Sequence, residues 1–387
     1  MTGKKRKLRM GMVGGGRGAF IGAVHRMAAT LDGQIELVCG AFSSNPEKSR
    51  ESGADWYLPH DRCYGSYMEM LEKESAMPSE QRMDFVTVVT PNHLHYPVAA
   101  AALDWKFHVV CDKPMTFNLR EAAALERKVG KSGQLFALTY NYSGYPMVRE
   151  ARSRIRSGEL GKIRKVVVEY PQGWLSKALE KTGQKQADWR TDPKRAGSSG
   201  CLGDIGTHAA HLAEFVSGLE IEEVFAELTT FVRGRKLDDD GSVLLRFKGG
   251  AKGVLLASQI STGEENGLRI RLYGEKGGLD WRQEEPNTLV MKWPDRPAEI
   301  VRAAGPGLSG AAAAACRLPS GHPEGFLEAF ATIYRDFAHT LQRKLAGEKV
   351  PANTRAFPSV RDGVRGMAFI EAAVASAKAG KWKKLST

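Results

Sequence analysis

The chain has 387 residues, of which 42% are hydrophobic and 26% charged, a composition typical of a folded globular protein large enough for two domains. No apolar run reaches the roughly 18 residues of a membrane-spanning helix, and the basic start MTGKKRKLRM has no signal-peptide core. We therefore expect a cytoplasmic protein without a membrane partner. The net charge of +12 is scattered apart from the terminal KKRK, which argues against a nucleic-acid partner.

Strands and helices alternate in the first part of the chain. Strand patterns separated by helical patterns occur at LRMGMVG, IELVCGAF, DFVTVVT, FHVVCD and QLFALTYN. Such alternation is typical of a parallel, doubly wound sheet. The sequence therefore predicts an α/β domain over residues 1–142.

Consecutive strand patterns follow, with a single helix near His208 among them. They occur at KIRKVVVEY, VFAELTTFV, SVLLRF, GVLLASQ, LRIRLYG, LDW and TLVMKW. Strands joined by short turns predict a large, mostly antiparallel sheet, so residues 143–387 are expected to form an α+β domain. The end of this domain is predicted as a long loop and two helices, over about 304–323, 324–346 and 359–379.

The cysteines carry no metal or disulfide pattern. There are five of them, Cys39, Cys63, Cys111, Cys201 and Cys316. Their odd number, their wide spacing and the lack of any CxxC argue against a disulfide framework and against a zinc site. We expect them to be buried as small hydrophobic residues.

A glycine-rich turn, GGGRGA at 14–19, lies between the first predicted strand and the first helix. Gly14, Gly16 and Ala19 fit the dinucleotide-binding pattern GxGxxG in its alanine-ended form. Glycines there allow a tight turn and close approach of a phosphate, which the N-terminus of the helix attracts. Arg17 is a candidate phosphate contact.

The end of the second predicted strand carries no carboxylate. An NAD-selective site usually has an acidic residue there that binds the ribose hydroxyls, whereas this strand ends in FSSN at 42–45. Two hydroxyls with Lys48 and Arg50 close behind could hold a 2′-phosphate, and a plain serine turn before Pro46 explains them equally well. NAD and NADP therefore both remain open as the cofactor.

Two further strand ends carry polar residues, TPNHLH at 90–95 and CDKP at 111–114. In open α/β sheets, ligands bind beyond the carboxyl ends of the strands. Lys113 could therefore reach a substrate hydroxyl, although an exposed loop lysine is the alternative. Asn92 and His95 are either ligand contacts or helix-capping residues.

The segment GDIGTH at 203–208 places Asp204 and His208 four residues apart. On a helix this spacing brings both side chains to one face, where they could serve one small molecule. Taken alone, the segment favours Asp204 as the N-cap of a helix over 205–217. His211 completes an HxxH pattern with His208, but no third or fourth ligand follows at a metal-binding spacing, so we expect no metal.

The ordered set of these segments resembles the Gfo/Idh/MocA oxidoreductases, typified by glucose-fructose oxidoreductase and inositol dehydrogenase. The matching segments are GGGRGA, TPNHLH, DKP at 112–114, Asn141 with Tyr142 and Pro146, SGELGKI at 157–163, and GDIGTH. They cover nearly the whole chain. Asp112 departs from the pattern, since the family usually has EKP, and Ala19 departs at the third glycine position.

The resemblance implies an N-terminal Rossmann domain that binds NAD or NADP and a C-terminal domain, with an open-faced sheet, that closes over a sugar or polyol. It also implies a homodimer or homotetramer formed through that sheet. The cofactor contacts that it implies are Gly14, Gly16, Arg17, Phe20, Ile21, Ser43, Thr90, Pro91, Asn92, His95 and Asp112.

The family's catalytic constellation carries over to Lys113, Asp204 and His208. We predict that His208 is the base, that Lys113 stabilises negative charge on the same substrate oxygen, and that Asp204 orients a neighbouring hydroxyl. Further substrate candidates, each with packing, surface exposure or a helix start as the alternative, are Tyr142, Trp189, Arg190, His211 and His322.

The predicted function is therefore an NAD(P)-dependent dehydrogenase or ketoreductase acting on a sugar, a glycoside or a cyclic polyol such as an inositol. One alternative is a regulatory protein of the same fold that senses the cofactor without catalysis. Another is an enzyme that cleaves or epimerises a sugar through transient oxidation.

Overall fold

The computed structural model describes residues 6–351 and 354–386. It divides the chain into two compact units, Met1–Thr139 with Phe330–Gly363, and Tyr140–Ala329 with Val364–Thr387. The predicted domain break at 142 lies three residues from the first of these boundaries. The expectation of one continuous second domain fails for Phe330–Gly363, because its aromatic residues join the first core. Phe337, for example, packs edge-on against Phe85 at 5.1 Å between ring centroids.

The first unit contains the predicted parallel sheet, with strand order β2-β1-β3-β4-β5. Its strands are β1 (Leu8–Gly14), β2 (Ile35–Ala41), β3 (Phe85–Val89), β4 (His108–Cys111) and β5 (Phe136–Leu138). All four pairings are parallel. Every residue of β3, β4 and β5 is buried, as expected for strands covered on both faces.

Helices connect these strands, which confirms the predicted α/β class. They are α1 (Phe20–Leu31), α2 (Pro46–Ala54), α3 (Tyr67–Ala76), α4 (His95–Asp104) and α5 (Leu119–Ser132). Side-chain caps begin three of them, because Asn45, Ser66 and Asn118 each accept a hydrogen bond from a backbone N–H three residues ahead.

The second unit contains a nine-stranded sheet with the order β13-β12-β11-β10-β6-β9-β8-β7-β14. Its strands are β6 (Ile163–Pro171), β7 (Ile221–Thr229), β8 (Asp240–Phe247), β9 (Lys252–Ser258), β10 (Arg269–Gly274), β11 (Gly278–Arg282), β12 (Thr288–Lys292), β13 (Glu299–Arg302) and β14 (Lys383–Lys384). Only the β6–β9 pairing is parallel among them. The predicted α+β class with a mostly antiparallel sheet is confirmed.

The remaining helices are α6 (Pro146–Arg156), α7 (Lys185–Arg190), α8 (Pro193–Ala196), α9 (Thr207–Ser217), α10 (Gly310–Ala313), α11 (Phe326–Leu345) and α12 (Val360–Ala379). The sequence analysis missed α7, α8 and α10, which have six residues or fewer and so show no clear helical period. It also missed the short strands β13 and β14.

The nine-stranded sheet has one face covered by α9 and one with exposed apolar side chains. Burial alternates along β8, where Val243 and Leu245 are buried while Leu244 between them is 47% exposed. Leu256 of β9 and Tyr273 of β10 are exposed as well. This is the open-faced arrangement that the sequence predicts.

None of the helices within residues 6–351 and 354–386 combines the length and the apolar character that crossing a bilayer requires. Four of the five cysteines are buried, and Cys316 is half-buried.

Candidate active site

The glycine turn after β1 leaves no room for a side chain at Gly14 or at Gly16. Gly14 has a φ of +82°, and a Cβ there would lie 2.5 Å from the Val89 carbonyl oxygen. A Cβ on Gly16 would lie 2.7 Å from the Phe42 carbonyl oxygen. Both distances are below any real Cβ contact, so the tight turn between β1 and α1 requires glycine at both positions.

A third close backbone contact is made by Gly22 and not by Ala19. The prediction that Ala19 takes the place of the third glycine of the GxGxxG pattern is therefore wrong. Ala19 is the N-cap residue of α1, and its N–H donates to the Gly16 carbonyl oxygen at 3.0 Å. Gly22 lies one turn into α1, where a Cβ would sit only 2.4 Å from the Gly15 Cα. The third glycine of a dinucleotide-binding turn allows this packing of helix against strand. Gly22 lies three residues beyond the position at which the GxGxxG spacing from Gly14 places the third glycine.

The N-terminus of α1 fits a phosphate group. Its N-cap, Ala19, makes no side-chain hydrogen bond to the first turn, so the N–H groups there are available to an anion. Phe20, the first residue of α1, is exposed, and Ile21 is half-buried. The glycine turn and this helix start together suit the pyrophosphate of a nicotinamide dinucleotide.

Arg17 is engaged elsewhere in the structure. Its guanidinium lies 2.5 Å from an Asp55 carboxylate oxygen and 2.6 Å from one of Glu51. A contact with phosphate would have to replace these ion pairs.

The turn after β2 contains Ser43, whose hydroxyl accepts a hydrogen bond from the Asn45 N–H at 3.1 Å. Asn45 in turn caps α2 by accepting the Lys48 N–H at 3.0 Å. The structure thus shows the serine turn that the sequence offered as an alternative.

His95 connects the loops that follow β3 and β4. Its Nε2 lies 2.8 Å from the Thr90 carbonyl oxygen, and its Nδ1 lies 2.7 Å from that of Pro114. Burial lowers the pKa of His95, and the charge of Asp112 opposes that shift. His95 is therefore a buried contact between the two loops; it is the first residue of α4, whose N-cap is Leu94. Pro91 and Asn92 lie in the loop that it holds.

Asp112 is buried beside the backbone of Lys113. Its Oδ1 accepts the Lys113 N–H at 2.9 Å and the Thr139 hydroxyl at 2.8 Å, and His25 Nε2 lies 3.8 Å away. Burial disfavours the charged form, but the interaction with His25 and the charges of Lys113 and His95 outweigh it and hold the pKa of Asp112 well below its usual range. Asp112 is thus a carboxylate at neutral pH.

His25 is a residue that the sequence analysis missed. It lies on the buried face of α1 with no exposed surface, and its Nδ1 lies 2.7 Å from the Tyr334 hydroxyl of α11. The Tyr334 oxygen also lies 3.3 Å from Thr87 Oγ1. The available signal was a polar residue among apolar neighbours on the core face of a helix.

The GDIGTH segment of the second unit forms a π-helical turn, Leu202–Gly206, that continues directly into α9. Asp204 lies inside this turn, so the alternative that it caps α9 is wrong. Asp238, which the sequence analysis missed, holds the start of the turn by accepting the N–H groups of Gly200 and Leu202, each at 2.9 Å. Single π-helical turns are frequent at functional sites.

Asp204 is held by two donors. Arg190 Nε and Gln259 Nε2 bind its Oδ2 at 3.1 and 2.9 Å. The Arg190 guanidinium stacks over the Trp189 ring at 4.2 Å. The structure therefore brings two predicted substrate residues, Trp189 and Arg190, to a predicted catalytic one.

His208 lies among tyrosine rings. The nearest centroids are those of Tyr142 at 4.9 Å and Tyr140 at 5.7 Å. The Tyr142 and Tyr170 hydroxyls bond to each other, and Tyr170 donates to Asn266 Oδ1 at 2.7 Å. Burial raises the pKa of both phenols, so they stay protonated. His208 thus faces an aromatic wall with neutral hydroxyl groups.

The two other histidines that were predicted as substrate contacts lie in different surroundings, one buried and one exposed. His211 stacks on Tyr140 at 4.2 Å, with 10° between the rings. His322 lies exposed in the loop before α11, and its Nδ1 contacts the Pro319 carbonyl oxygen at 3.2 Å. The helix that follows, α11, begins at Phe326, two residues after the predicted start near 324. The described part of the chain contains no cluster of three His, Cys, Asp or Glu side chains suited to a metal.

Comparison with known proteins identifies the family. The model of the oxidoreductase family with an NAD-binding Rossmann fold matches residues 8–140, and that of the GFO/IDH/MocA C-terminal domain matches residues 148–280. The uncharacterized oxidoreductase YfiI of Bacillus subtilis (strain 168) is 32% identical over 376 residues, which are 96% of this chain and 95% of that protein. The chain belongs to the Gfo/Idh/MocA family.

Solved structures share the fold of this Gfo/Idh/MocA oxidoreductase. An inositol dehydrogenase homolog from Azotobacter vinelandii, complexed with NAD+, has a TM-score of 0.94 and 34% identity, covering 98% of this chain and 97% of that chain. The same homolog complexed with NADH and myo-inositol has a TM-score of 0.89 and 33% identity, covering 98% of each chain. This chain is thus an enzyme with an NAD-binding Rossmann domain, from a family of sugar and inositol dehydrogenases.

Proposed function

We propose that this protein transfers hydride between NAD or NADP and a secondary hydroxyl or ketone of a sugar, a glycoside or a cyclic polyol such as an inositol. The observation that carries the proposal is the arrangement in the second unit. There a buried imidazole, His208, lies beside two tyrosine rings, and a half-buried carboxylate, Asp204, is held by Arg190 and Gln259. The Azotobacter vinelandii homolog, whose structure contains NADH and myo-inositol, supports a polyol substrate.

His208 is the proposed base for oxidation. The nicotinamide, when bound, accepts the hydride from the alcohol carbon of the substrate. The proton on the hydroxyl oxygen of that carbon must be removed as well. Imidazole is the side chain that changes charge near neutral pH and so can take that proton and return it in the reverse reaction. The aromatic rings around His208 exclude water from this proton transfer.

Asp204 is proposed to orient the substrate. With Arg190 and Gln259 both donating to Oδ2, the carboxylate is fixed in place and remains an acceptor. A neighbouring substrate hydroxyl would donate to it. Two hydroxyls recognised at fixed positions select a diol geometry, which sugars and inositols share.

Lys113 is proposed to bind the reacting oxygen. Its ammonium group can only donate hydrogen bonds, and it carries the positive charge that stabilises a developing alkoxide. The glycine turn and the start of α1 are proposed to hold the cofactor pyrophosphate, with Thr90, Pro91, Asn92 and Ser43 as further contacts.

A homodimer or homotetramer is proposed through the open face of the nine-stranded sheet. Leu244 of β8 pairs with Val254 of β9, which pairs with Val167 of β6, so an apolar row crosses three strands. A second copy covering this row would remove exposed leucine side chains from water.

The function is tested by incubating the purified protein with NAD+ or NADP+ and a panel of inositols, aldoses and glycosides, while the absorbance of reduced nicotinamide is followed. We expect one class of polyol to give turnover. Cofactor binding without turnover of any member would support a cofactor-sensing regulator instead. Consumption of a sugar without net formation of reduced cofactor would support transient oxidation during cleavage or epimerisation.

A further inference from the structure

The backbone on both sides of Lys113 is held by buried polar side chains of the first unit. On the N-terminal side, Asp112 accepts the Lys113 N–H at 2.9 Å and also binds the Thr139 hydroxyl. On the C-terminal side, His95 lies 2.7 Å from the Pro114 carbonyl oxygen. An ordinary loop lysine needs no such support.

The Asp112 carboxylate faces the buried imidazole of His25. His25 Nε2 lies 3.8 Å from Asp112 Oδ1, and both side chains are buried. A buried carboxylate is costly unless a donor or a positive charge compensates it. The Tyr334 hydroxyl donates to Thr87 Oγ1 at 3.3 Å, so at 2.7 Å it accepts the N–H of His25 Nδ1, and this bond turns Nε2 of the ring toward the carboxylate.

The orientation of His25 is fixed from the other end of the chain. Tyr334 follows His25 by 309 residues and reaches it from α11. The Phe330 ring, one turn earlier on α11, packs edge-on against the His25 ring at 5.0 Å. One hydrogen bond and one ring contact therefore leave the imidazole a single orientation, with Nε2 toward Asp112.

We propose that His25, oriented by Tyr334, is a positioning residue for Lys113. It holds the Asp112 carboxylate in the orientation that binds the Lys113 N–H, and it thereby fixes the point from which the ammonium group reaches the substrate. This inference rests on the proposed role of Lys113 in the reaction. A misplacement of about 1 Å can slow an enzyme by on the order of 10²-fold, so loss of this support slows the reaction even when the fold survives.

A double-mutant cycle with turnover as the readout tests the coupling. The variants are His25→Phe, Lys113→Ala and the pair together, assayed with NAD+ and whichever polyol of the panel is oxidised. We expect His25→Phe to lower kcat by about 10- to 100-fold with KM changed less than about threefold. In the Lys113→Ala background, His25→Phe should lower kcat further by less than about twofold. His25→Gln, which keeps a side-chain N–H, should recover part of kcat.

The same loss of kcat in both backgrounds would overturn the proposal, because His25 would then act independently of Lys113. Unchanged kcat in His25→Phe would overturn it as well. The failure of the proposed function gives a different result, namely wild-type kcat in Lys113→Ala alone.

Hydrogen exchange gives a readout that needs no substrate. The exchange rate of the Lys113 amide, followed by mass spectrometry, should rise about tenfold or more in His25→Phe. His108→Asn is the matched control, since His108 is also a buried histidine of this sheet and accepts the Leu135 N–H at 2.8 Å. It should leave the Lys113 amide unchanged, and both variants should bind NADH, measured by its fluorescence, within about threefold of wild type.

Tyr334→Phe is the milder variant, since it removes only the hydroxyl that orients His25. As in His25→Phe, kcat should fall and the exchange rate of the Lys113 amide should rise, each by about two- to tenfold. If His25→Phe does not fold, this variant decides the question. Wild-type exchange of the Lys113 amide in a folded His25→Phe or Tyr334→Phe protein would overturn the proposal.

Discussion

The Asp204 carboxylate accepts a hydrogen bond from Arg190 Nε at 3.1 Å, and the same guanidinium stacks over Trp189. This relationship joins a short helix to the π-helical turn that carries the proposed orienting carboxylate. Arg190 thus helps to fix the side chain of Asp204, which lies fourteen positions further along the chain.

Arg190→Met should lower kcat/KM for the substrate much more than it lowers the stability of the protein. Without the guanidinium, Asp204 loses one of the donors that hold it, so its orientation loosens and kcat/KM should fall about 10- to 100-fold, mostly through KM. The matched control is Arg195→Met, which breaks the exposed Arg195–Asp188 pair at 2.7 Å close by. Surface pairs contribute about 0–1 kcal/mol, so that variant should keep wild-type kinetics. Equal losses in the two variants would contradict the assignment of Arg190.

Gly22→Ala should damage the cofactor-binding unit. The added Cβ would meet the Gly15 Cα at 2.4 Å, so α1 must shift away from the turn, at a cost of about 1–3 kcal/mol in the free energy of unfolding. Urea denaturation and NADH titration should show lower stability and weaker binding. Gly130→Ala, in α5 with open space around its Cβ, is the control and should be neutral or slightly stabilising. Wild-type NADH affinity in Gly22→Ala would show that the close packing is dispensable.

How much could be predicted from the sequence depends on how local each signal is. The alternation of strands and helices, and the need for Gly14 and Gly16, arise within a few neighbouring residues, so both were predicted. The parallel β6–β9 pairing was not, because a strand's own pattern of burial is the same beside a parallel or an antiparallel neighbour.

Contacts between distant residues were the least predictable part of the site. The His25–Tyr334 hydrogen bond spans 309 residues, and Asp238 holds a turn that lies 36 to 38 residues earlier. A single sequence contains no signal that joins such partners. The pattern match selected Ala19 and not Gly22 for the same reason, since only the packing of α1 shows which residue makes the close contact.

His108 should make stability fall in mild acid. Burial lowers the pKa of His108 to about 4 from its ordinary value of 6.5, so the unfolded chain takes up a proton first as the pH falls. The stability is therefore fully present above about pH 6.5 and is lost progressively down to about pH 4. Because each pH unit between the two pKa values corresponds to about 1.4 kcal/mol, the loss reaches at most ~3 kcal/mol. Urea denaturation between pH 7 and pH 4.5 should show a smaller loss for His108→Asn. Equal slopes in the two proteins would contradict this.

The protein should be a dimer or tetramer by light scattering. Leu244→Glu combined with Leu256→Glu places two charges on the open face of the sheet and should convert the oligomer to a folded monomer. Lys185→Glu, on α7 and outside the strands of the sheet, is the control and should leave the mass unchanged. A monomeric wild-type protein would contradict the proposed use of the sheet.

The most direct test of the proposed chemistry is a single-turnover measurement of hydride transfer in His208→Asn, with the polyol that the panel identifies. Removal of the base should slow reduction of NAD+ by about 10²- to 10⁴-fold, while NADH titration still shows binding close to that of wild type. Reduction of NAD+ at the wild-type rate in a folded His208→Asn enzyme would contradict the account.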